Sequence, residues 1–496
     1  MSVPAISVGS AFHVPLIVRG RIIDDADLQF GGRRGGATFS TPDVKKHLST
    51  LALSKPSSLQ DLYALSFDEL LDYLVELGDR LSFARNSHMQ AAYELSRLTS
   101  GLTDELLANV YRSLGRMFTK PYLREMIEQT IGVRYLEGWV ERRLPSGARV
   151  AIRAFGARAV HVIAGNNPGV SALTILRNAL TRSDAIIKTP SNDPLTAAAI
   201  ARTMAEMAPD HPITRHLSVA YWKGGDASVE EPLYQPRNVE KIIAWGGLAS
   251  IGHITRCLQP GIDLITLDPK LSSTIIGAEA FANDAAMTEV AQRLAHDVGA
   301  GNQEGCVNAR VVYLHCGTHA AGIALANRFG ELLLYAIRSL PAHVSGPAKS
   351  LDRELAEEMQ ALALGSDDYQ VLGGGREGGV IVSQSDEPVD FARLLCNRVA
   401  NLVPVDSLET PIRAVTAYTQ TIGIYPESLK LEIRDRLAFH GAQRLVSLGY
   451  ASNSAVMALA GPQDGIEPLR RMCKWIVDES SDPAEQLLAA RLAPAP

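Results

Sequence analysis

The chain has 496 residues, 46% hydrophobic and 21% charged, with a formal net charge of −6. This is the composition of a globular protein with a large core, and at about 100 to 200 residues per domain it predicts two to four domains. The acidic balance provides no basic stripe for nucleic acid, and no run approaches the roughly 18 apolar residues of a membrane helix. The opening "MSVPAISVGSAFHVPLIVRG" lacks a basic head followed by a sustained apolar core, so a cytoplasmic protein without a membrane span is expected.

Residues 1–149 read as a mainly helical region. In "FDELLDYLVELGDRL", Leu70, Leu71, Leu74, Leu77 and Leu81 fall on one helical face. The exceptions are "VPLIVRGRIID", an early hairpin or edge strand, and the glycine-arginine run Gly31 to Gly36, which lacks the strand-before, helix-after setting of a phosphate loop and reads as a flexible loop.

Residues 150–270 alternate short β-branched runs with Ala-rich helical ones, from "AVHVIAG" and "PGVSALTILRNALTR" through "DAIIK" to "KIIAW" and "DLITL". Strand and helix in alternation imply right-handed crossovers and a parallel sheet covered on both faces, the architecture of a dinucleotide-binding domain. A second α/β block is expected at 271–440, with a glycine hairpin in "YQVLGGGREGGVIVS". Residues 441–496 are expected to pack or to form an oligomer contact, with "GPQDGIEPLRRMCKWIVDE" ending in an amphipathic helix.

Five cysteines, Cys257, Cys306, Cys316, Cys396 and Cys473, are odd in number and far apart, which argues against a disulfide framework. The only metal-like spacing, His315 to His319 in "HCGTH", has no second ligand cluster and reads as a strand end turning into a helix. No metal is expected.

Ligands of parallel sheets bind beyond the carboxyl ends of the strands, so the residues after each strand are the candidates. In "GNNPG", Pro168 suits a helix first turn and Asn167 a cap, leaving Asn166 to donate to a developing oxyanion or simply to shape the turn. In "IIKTPSNDP", Lys188 can donate to cofactor ribose or phosphate. Ser191 is uncharged where many NAD sites carry a carboxylate, which favours NADPH, although Asp193 is near. Gly246 and Gly247 open "GGLASIG", where bare backbone at a helix start admits a pyrophosphate or nicotinamide. In "GNQEGCVNA", Cys306 sits in a pliable loop before the strand "ARVVYL". Position alone leaves it either a packed thiol or a nucleophile.

As an ordered set, "AGNNPG", "IIKTPSNDP", "WGGLASIG", "GNQEGC" and "VLGGGREGGVIV" resemble the aldehyde dehydrogenase superfamily. With the closing "GPQDGIEPLRRMCKWIVDE" they resemble more closely its LuxC-like acyl-CoA reductase branch, which makes aldehydes for bacterial luciferase. The resemblance covers roughly residues 150 to 480. It implies an aldehyde dehydrogenase-like fold, Cys306 as nucleophile, Asn166 as oxyanion donor, Lys188 on the adenosine ribose, and Ser191 in place of the glutamate of NAD-preferring members. It also implies acyl-CoA or an acyl-carrying enzyme as partner, and a homo-oligomer.

Two departures bear on the reaction. Where oxidising members carry a glutamate base, "ITLDPKL" has Thr266, with Asp268 close but shifted. The glutamate that grips the nicotinamide ribose has no clean counterpart in "FARLLCNRVANLVPV". Hydrolysis of a thioacyl-enzyme needs a base to activate water, and a reductase does not. The expectation is therefore NADPH-dependent reduction of an acyl thioester to the aldehyde. Glu304 is either a local proton acceptor or a solvated loop charge. The alternatives are an acyl-phosphate reductase of the same fold, for which no basic cluster near Cys306 is evident, and a silent relative that binds acyl-CoA or a partner enzyme.

Overall fold

The computed structural model describes residues 12–31, 37–53, 55–145, 147–268, 270–365, 367–452 and 467–480. Most of the Gly31 to Gly36 run, and the segment before Glu467, lie outside them.

In the first large sheet the strands lie in the order Asp263–Leu267, Lys241–Trp245, Arg158–Val162, Asp184–Lys188, Leu217–Ala220, Leu16–Val18, Arg21–Ile23. The first five are mutually parallel. Side chains of a strand alternate between faces, and here both faces are dry. Ala159, Ala185, Ile187 and Ile243 share a core with the helices Gly169–Leu180 and Thr196–Met207. Val160, Val162, Ile186, Ile242 and Ala244 pack with Val229, Leu233, Ile251 and Ile254 of the helices Ala227–Leu233 and Leu248–Cys257. Burial on both sides is what favours continuous apolar strands here.

The early hairpin completes this sheet. Its two-residue turn, Arg19 and Gly20, has φ of 52° and 83°, the left-handed pair that matches strand twist, and a Cβ on Gly20 would collide with the Pro209 carbonyl. Val18 and Ile17 pair antiparallel with Ser218 and Val219. Arg19 clamps the join by donating to Asp184, with Nη2 at 2.9 Å from Oδ2.

The second sheet runs Tyr369–Gly375, Gly378–Ser383, Val399–Pro404, Ala309–Leu314, Leu271–Ile276, Thr419–Tyr425, Arg444–Ser447, parallel except for the glycine hairpin at one edge. The helix Ala320–Arg338 is long and apolar enough to cross a membrane by length and composition, although Asn327, Arg328 and Glu331 interrupt its apolar run. Here Ala326, Phe329, Leu333 and Ile337 bury one face of it against Val380, Val382 and Leu402 of the sheet, while Arg328 and Glu331 pair on the exposed side.

The helix over Phe67–Arg80 forms as its apolar spacing predicts, started by a reciprocal Ser66 and Glu69 capping box; Leu70, Leu71, Leu74, Leu77 and the following Leu81 are all buried. The C-terminal expectation needs correction. Among the described residues of this stretch a helix occupies Glu467–Met472, and Lys474–Ser480 is a strand paired along its whole length with Arg149–Phe155. The segment "KWIVDES" is rich in β-formers and finds a long partner strand, which outweighs its helix-like apolar spacing.

Candidate active site

The chain steps from Arg158–Val162 to Asp184–Lys188 and Leu217–Ala220 on one side, then crosses to Lys241–Trp245 and Asp263–Leu267 on the other. The order reverses between Arg158–Val162 and Lys241–Trp245, so a crevice opens beyond their carboxyl ends. The Asn166 turn lies on one side of it and the Gly246 turn on the other.

Asn167 caps the following helix, its Oδ1 accepting from Gly169 N at 2.8 Å. Asn166 is left to point elsewhere: its Nδ2 donates to the Glu304 carbonyl oxygen at 3.0 Å. The Asn166 turn thus meets the loop of Cys306, which stands two positions after Glu304 and is half-buried.

Lys188 ends its strand half-buried, and Ser191 is half-buried in the turn after it. This turn is fastened to the Asn166 turn, because Asn192 Nδ2 donates to Gly165 O at 2.9 Å and a Cβ on Gly165 would collide with the Asn192 amide. Asp193 is turned away and is 2% exposed, its Oδ1 accepting from both N and Oγ1 of Thr196. Burial pushes its carboxyl up to about 6. It is therefore a buried helix-start ligand and does not present a carboxylate beside Ser191. Gly247 caps the helix Leu248–Cys257 and is exposed, and a Cβ there would meet nothing within 4 Å.

The Cys306 loop is held by carboxamides whose importance the sequence did not reveal. Gly301, Asn302 and Gln303 take φ of 61°, 57° and 64°, a left-handed run that costs roughly 1–2 kcal/mol at each non-glycine residue. Each side chain is anchored in return. Asn302 Oδ1 accepts from Ser345 Oγ at 3.1 Å and Gly346 N at 2.9 Å. Gln303 Nε2 donates to Ala309 O and Val399 O at 2.9 and 2.8 Å, and its Oε1 accepts from Val399 N at 2.9 Å. Asn308 accepts from Gly305 N and donates to Asp297 O and Ala300 O. Ser272 donates to Cys306 O at 2.6 Å. The density of Asn and Gln in "GNQEGCVN" is the signal the sequence offers, since their partners lie up to 144 residues away.

Two arginines add positive charge near Cys306, where no basic cluster is evident in the sequence. Arg310 interacts electrostatically with Cys306, Cys396 and Glu304, and Arg444 with Asp297 and Cys306; burial lowers both guanidinium pKa values. Their hydrogen bonds to main chain go to Leu395 O and Asn308 O from Arg310, and to Ala451 O and Tyr450 O from Arg444. "HCGTH" is a strand end meeting a helix, with His319 capping Ala320–Arg338 by accepting from Gly322 N at 2.9 Å. Burial pushes the Cys316 thiol up to about 12.

Two α/β sheets of this order define the aldehyde dehydrogenase fold. Lactaldehyde dehydrogenase from Escherichia coli superposes with a TM-score of 0.70, covering 95% of this chain and 100% of that one at 16% identity. NADP-dependent glyceraldehyde-3-phosphate dehydrogenase from Bacillus halodurans, solved with NADP, gives 0.69 over 95% and 99% at 12% identity. Within that fold, the family model described as acyl-CoA reductase (LuxC) matches residues 62–475. The chain is 32% identical over 370 residues to the long-chain acyl-protein thioester reductase of Photorhabdus laumondii, covering 73% of this chain and 71% of that one. It is 29% identical over 448 residues to the enzyme of the same name from Photorhabdus luminescens, covering 88% of each. The chain belongs to the acyl-CoA reductase (LuxC) family and is an oxidoreductase acting on an acyl group.

Proposed function

We propose that this protein reduces a fatty acyl thioester, carried by CoA or by an acyl-bearing partner protein, to the aldehyde with NADPH, through a thioacyl intermediate on Cys306. The observation that carries the reading is the contact of Asn166 with the Cys306 loop. It sets a carboxamide donor against the loop that carries the half-buried Cys306, which supports the pairing that acyl transfer to a thiol requires.

The Cys306 sulfur, as thiolate, attacks the carbonyl carbon and forms the carbon–sulfur bond. Asn166 Nδ2 and the Cys306 N–H receive the oxyanion, and the tetrahedral species collapses by expelling the donor thiolate. Asn302, Gln303 and Asn308 hold the loop so that the sulfur is fixed in advance of the substrate. The crevice residues suit a nicotinamide cofactor: Gly247 leaves open space at a helix start, Lys188 offers a cation at the strand end, and Asp193 is withdrawn beneath the turn that carries Ser191. A turn without an exposed carboxylate does not repel a 2′-phosphate, which supports NADPH. When bound, NADPH supplies hydride to the thioester carbon, and the thiohemiacetal on Cys306 then releases aldehyde and restores the thiolate.

Arg310 and Arg444 are the feature that favours the rival reading, a phosphate-leaving acyl donor. Donors of both are already taken by main-chain carbonyls, Arg310 Nε by Leu395 O and Arg444 Nη1 by Ala451 O, which supports the thioester reading. Incubation with acyl-CoA or acyl phosphate and NADPH separates the two. Oxidation of NADPH and aldehyde formation are expected with the thioester, and a reaction with acyl phosphate alone overturns the reading.

A further inference from the structure

We infer that Glu230, His253 and Cys257 form a binding site for a thiolate-seeking divalent cation of the zinc class, a function separate from acyl transfer. His253 and Cys257 are one turn apart on the helix Leu248–Cys257 and so share a face. Glu230 reaches them from the helix Ala227–Leu233, and one ligand atom of each residue lies within 4.8 Å of the others. Linear spacing hides the cluster, because Glu230 and His253 are 23 positions apart.

The geometry is close to what a tetrahedral metal needs. Cys257 Sγ is 3.6 Å from His253 Nε2; zinc at about 2.3 Å from sulfur and about 2.0 Å from nitrogen sets those atoms about 3.5 Å apart. The His253 Nε2 to Glu230 Oε2 distance, 2.6 Å, is that of a hydrogen bond, and the cation would replace the shared proton with a separation less than about 1 Å longer.

Glu230 has the environment of a ligand carboxylate. It is 3% exposed, and its Oε1 accepts from Trp222 Nε1 and Gly225 N, each at 3.2 Å, which fixes the group and aims Oε2 at His253. Such outer hydrogen bonds orient metal ligands. Among the described residues its ion pair is with His253, so a buried carboxylate faces a histidine and a thiol. Both His253 and Cys257 are half-exposed, which leaves an entry path and a fourth position for water.

The cluster borders the cofactor crevice. A Cβ on Gly225 would lie 3.9 Å from His253 Cε1, and one on Gly224 would lie 3.9 Å from Lys188 Nζ. A bound cation would tie the two helices together behind that loop and steady the helix that begins after Gly247. Binding breaks the Cys257 S–H bond and the His253 to Glu230 hydrogen bond, forms bonds to sulfur, nitrogen and oxygen, and releases the thiol proton to solvent, with the histidine proton moving to Nδ1. No electrons are exchanged, and affinity should rise with pH.

The test uses the full chain carrying Cys306→Ala, which removes the active-site thiol, after treatment with a chelator. Titration with Co2+ should give one equivalent bound, with the visible bands of tetrahedral cobalt and a thiolate-to-cobalt charge-transfer band, all displaced by Zn2+. Thermal melting should rise with either metal. Cys257→Ser and His253→Gln, each checked for folding by circular dichroism, should weaken binding by about 100-fold or more and abolish the charge-transfer band. Absence of the band at saturating cobalt, or a band unchanged in both variants, would overturn the proposal and leave a metal-free hydrogen-bonded chain.

Discussion

Asn166 Nδ2 lies 3.0 Å from the carbonyl oxygen of Glu304, so the turn after the first parallel strand of the cofactor sheet touches the loop of Cys306 across 138 positions of sequence. The amide has a second hydrogen for a substrate oxyanion. Removing it in Asn166→Ala should lower kcat by about 10²–10³-fold, the range for loss of one oxyanion donor, and move the melting temperature by only a few degrees. Steady-state kinetics beside a thermal melt read both. Unchanged kcat would remove Asn166 from the chemistry.

Gln303 carries the loop rather than the reaction. Its three buried hydrogen bonds join Ala309 and Val399 at a φ of 64°. Gln303→Ala leaves buried main-chain groups unpaired and should destabilise the fold by about 2–4 kcal/mol. Denaturant midpoints measure that loss, and acylation of Cys306 should slow in the fraction that stays folded.

Cofactor choice is expected to rest on Ser191. Ser191→Asp puts a carboxylate where the withdrawn Asp193 does not reach, and should raise KM for NADPH about tenfold or more while leaving NADH use equal or improved. A parallel rise for both cofactors would indicate damage to the turn instead of repulsion of the 2′-phosphate.

Asp193 makes stability depend on pH in a definite direction. Its carboxyl is raised by burial from 3.8 to about 6, so between those values the folded state holds the proton more tightly than the unfolded chain. Stability therefore falls as pH rises through that window, and the loss is complete above about 6. Asp193→Asn keeps an acceptor for Thr196 and removes the titration. Relative to the parent it should gain on the order of 2–3 kcal/mol at pH 7, and that gain should vanish near pH 4. Urea midpoints at the two pH values decide it; an equal difference at both would contradict the buried, raised carboxyl.

Much of this was legible in the sequence because it is local. Alternating β-branched and Ala-rich runs report parallel strands and their helices, and Leu70, Leu71, Leu74 and Leu77 report one helix face. Other features depend on partners far along the chain. The hairpin at Leu16–Ile23 gives no hint that Val18 will meet Ser218, and Lys474–Ser480 becomes a strand because Arg149–Phe155 is there to receive it. In the site, turn chemistry singled out Asn166 by leaving it without a local task. The anchoring of Asn302 and Gln303, and the approach of Arg444 to Cys306, depend on segments that only the folded sheet brings close. Asp193 read as a nearby charge, and only its burial removes it from the surface of the turn.

The central claim is that Cys306 accepts the acyl group, and intact-mass and peptide mass spectrometry after incubation with long-chain acyl-CoA, without NADPH, test it directly. The account predicts a gain of one acyl group per chain, located on Cys306, absent in Cys306→Ala, and discharged as aldehyde when NADPH is added. An acyl group on another residue, or aldehyde formation that persists in Cys306→Ala, would contradict it.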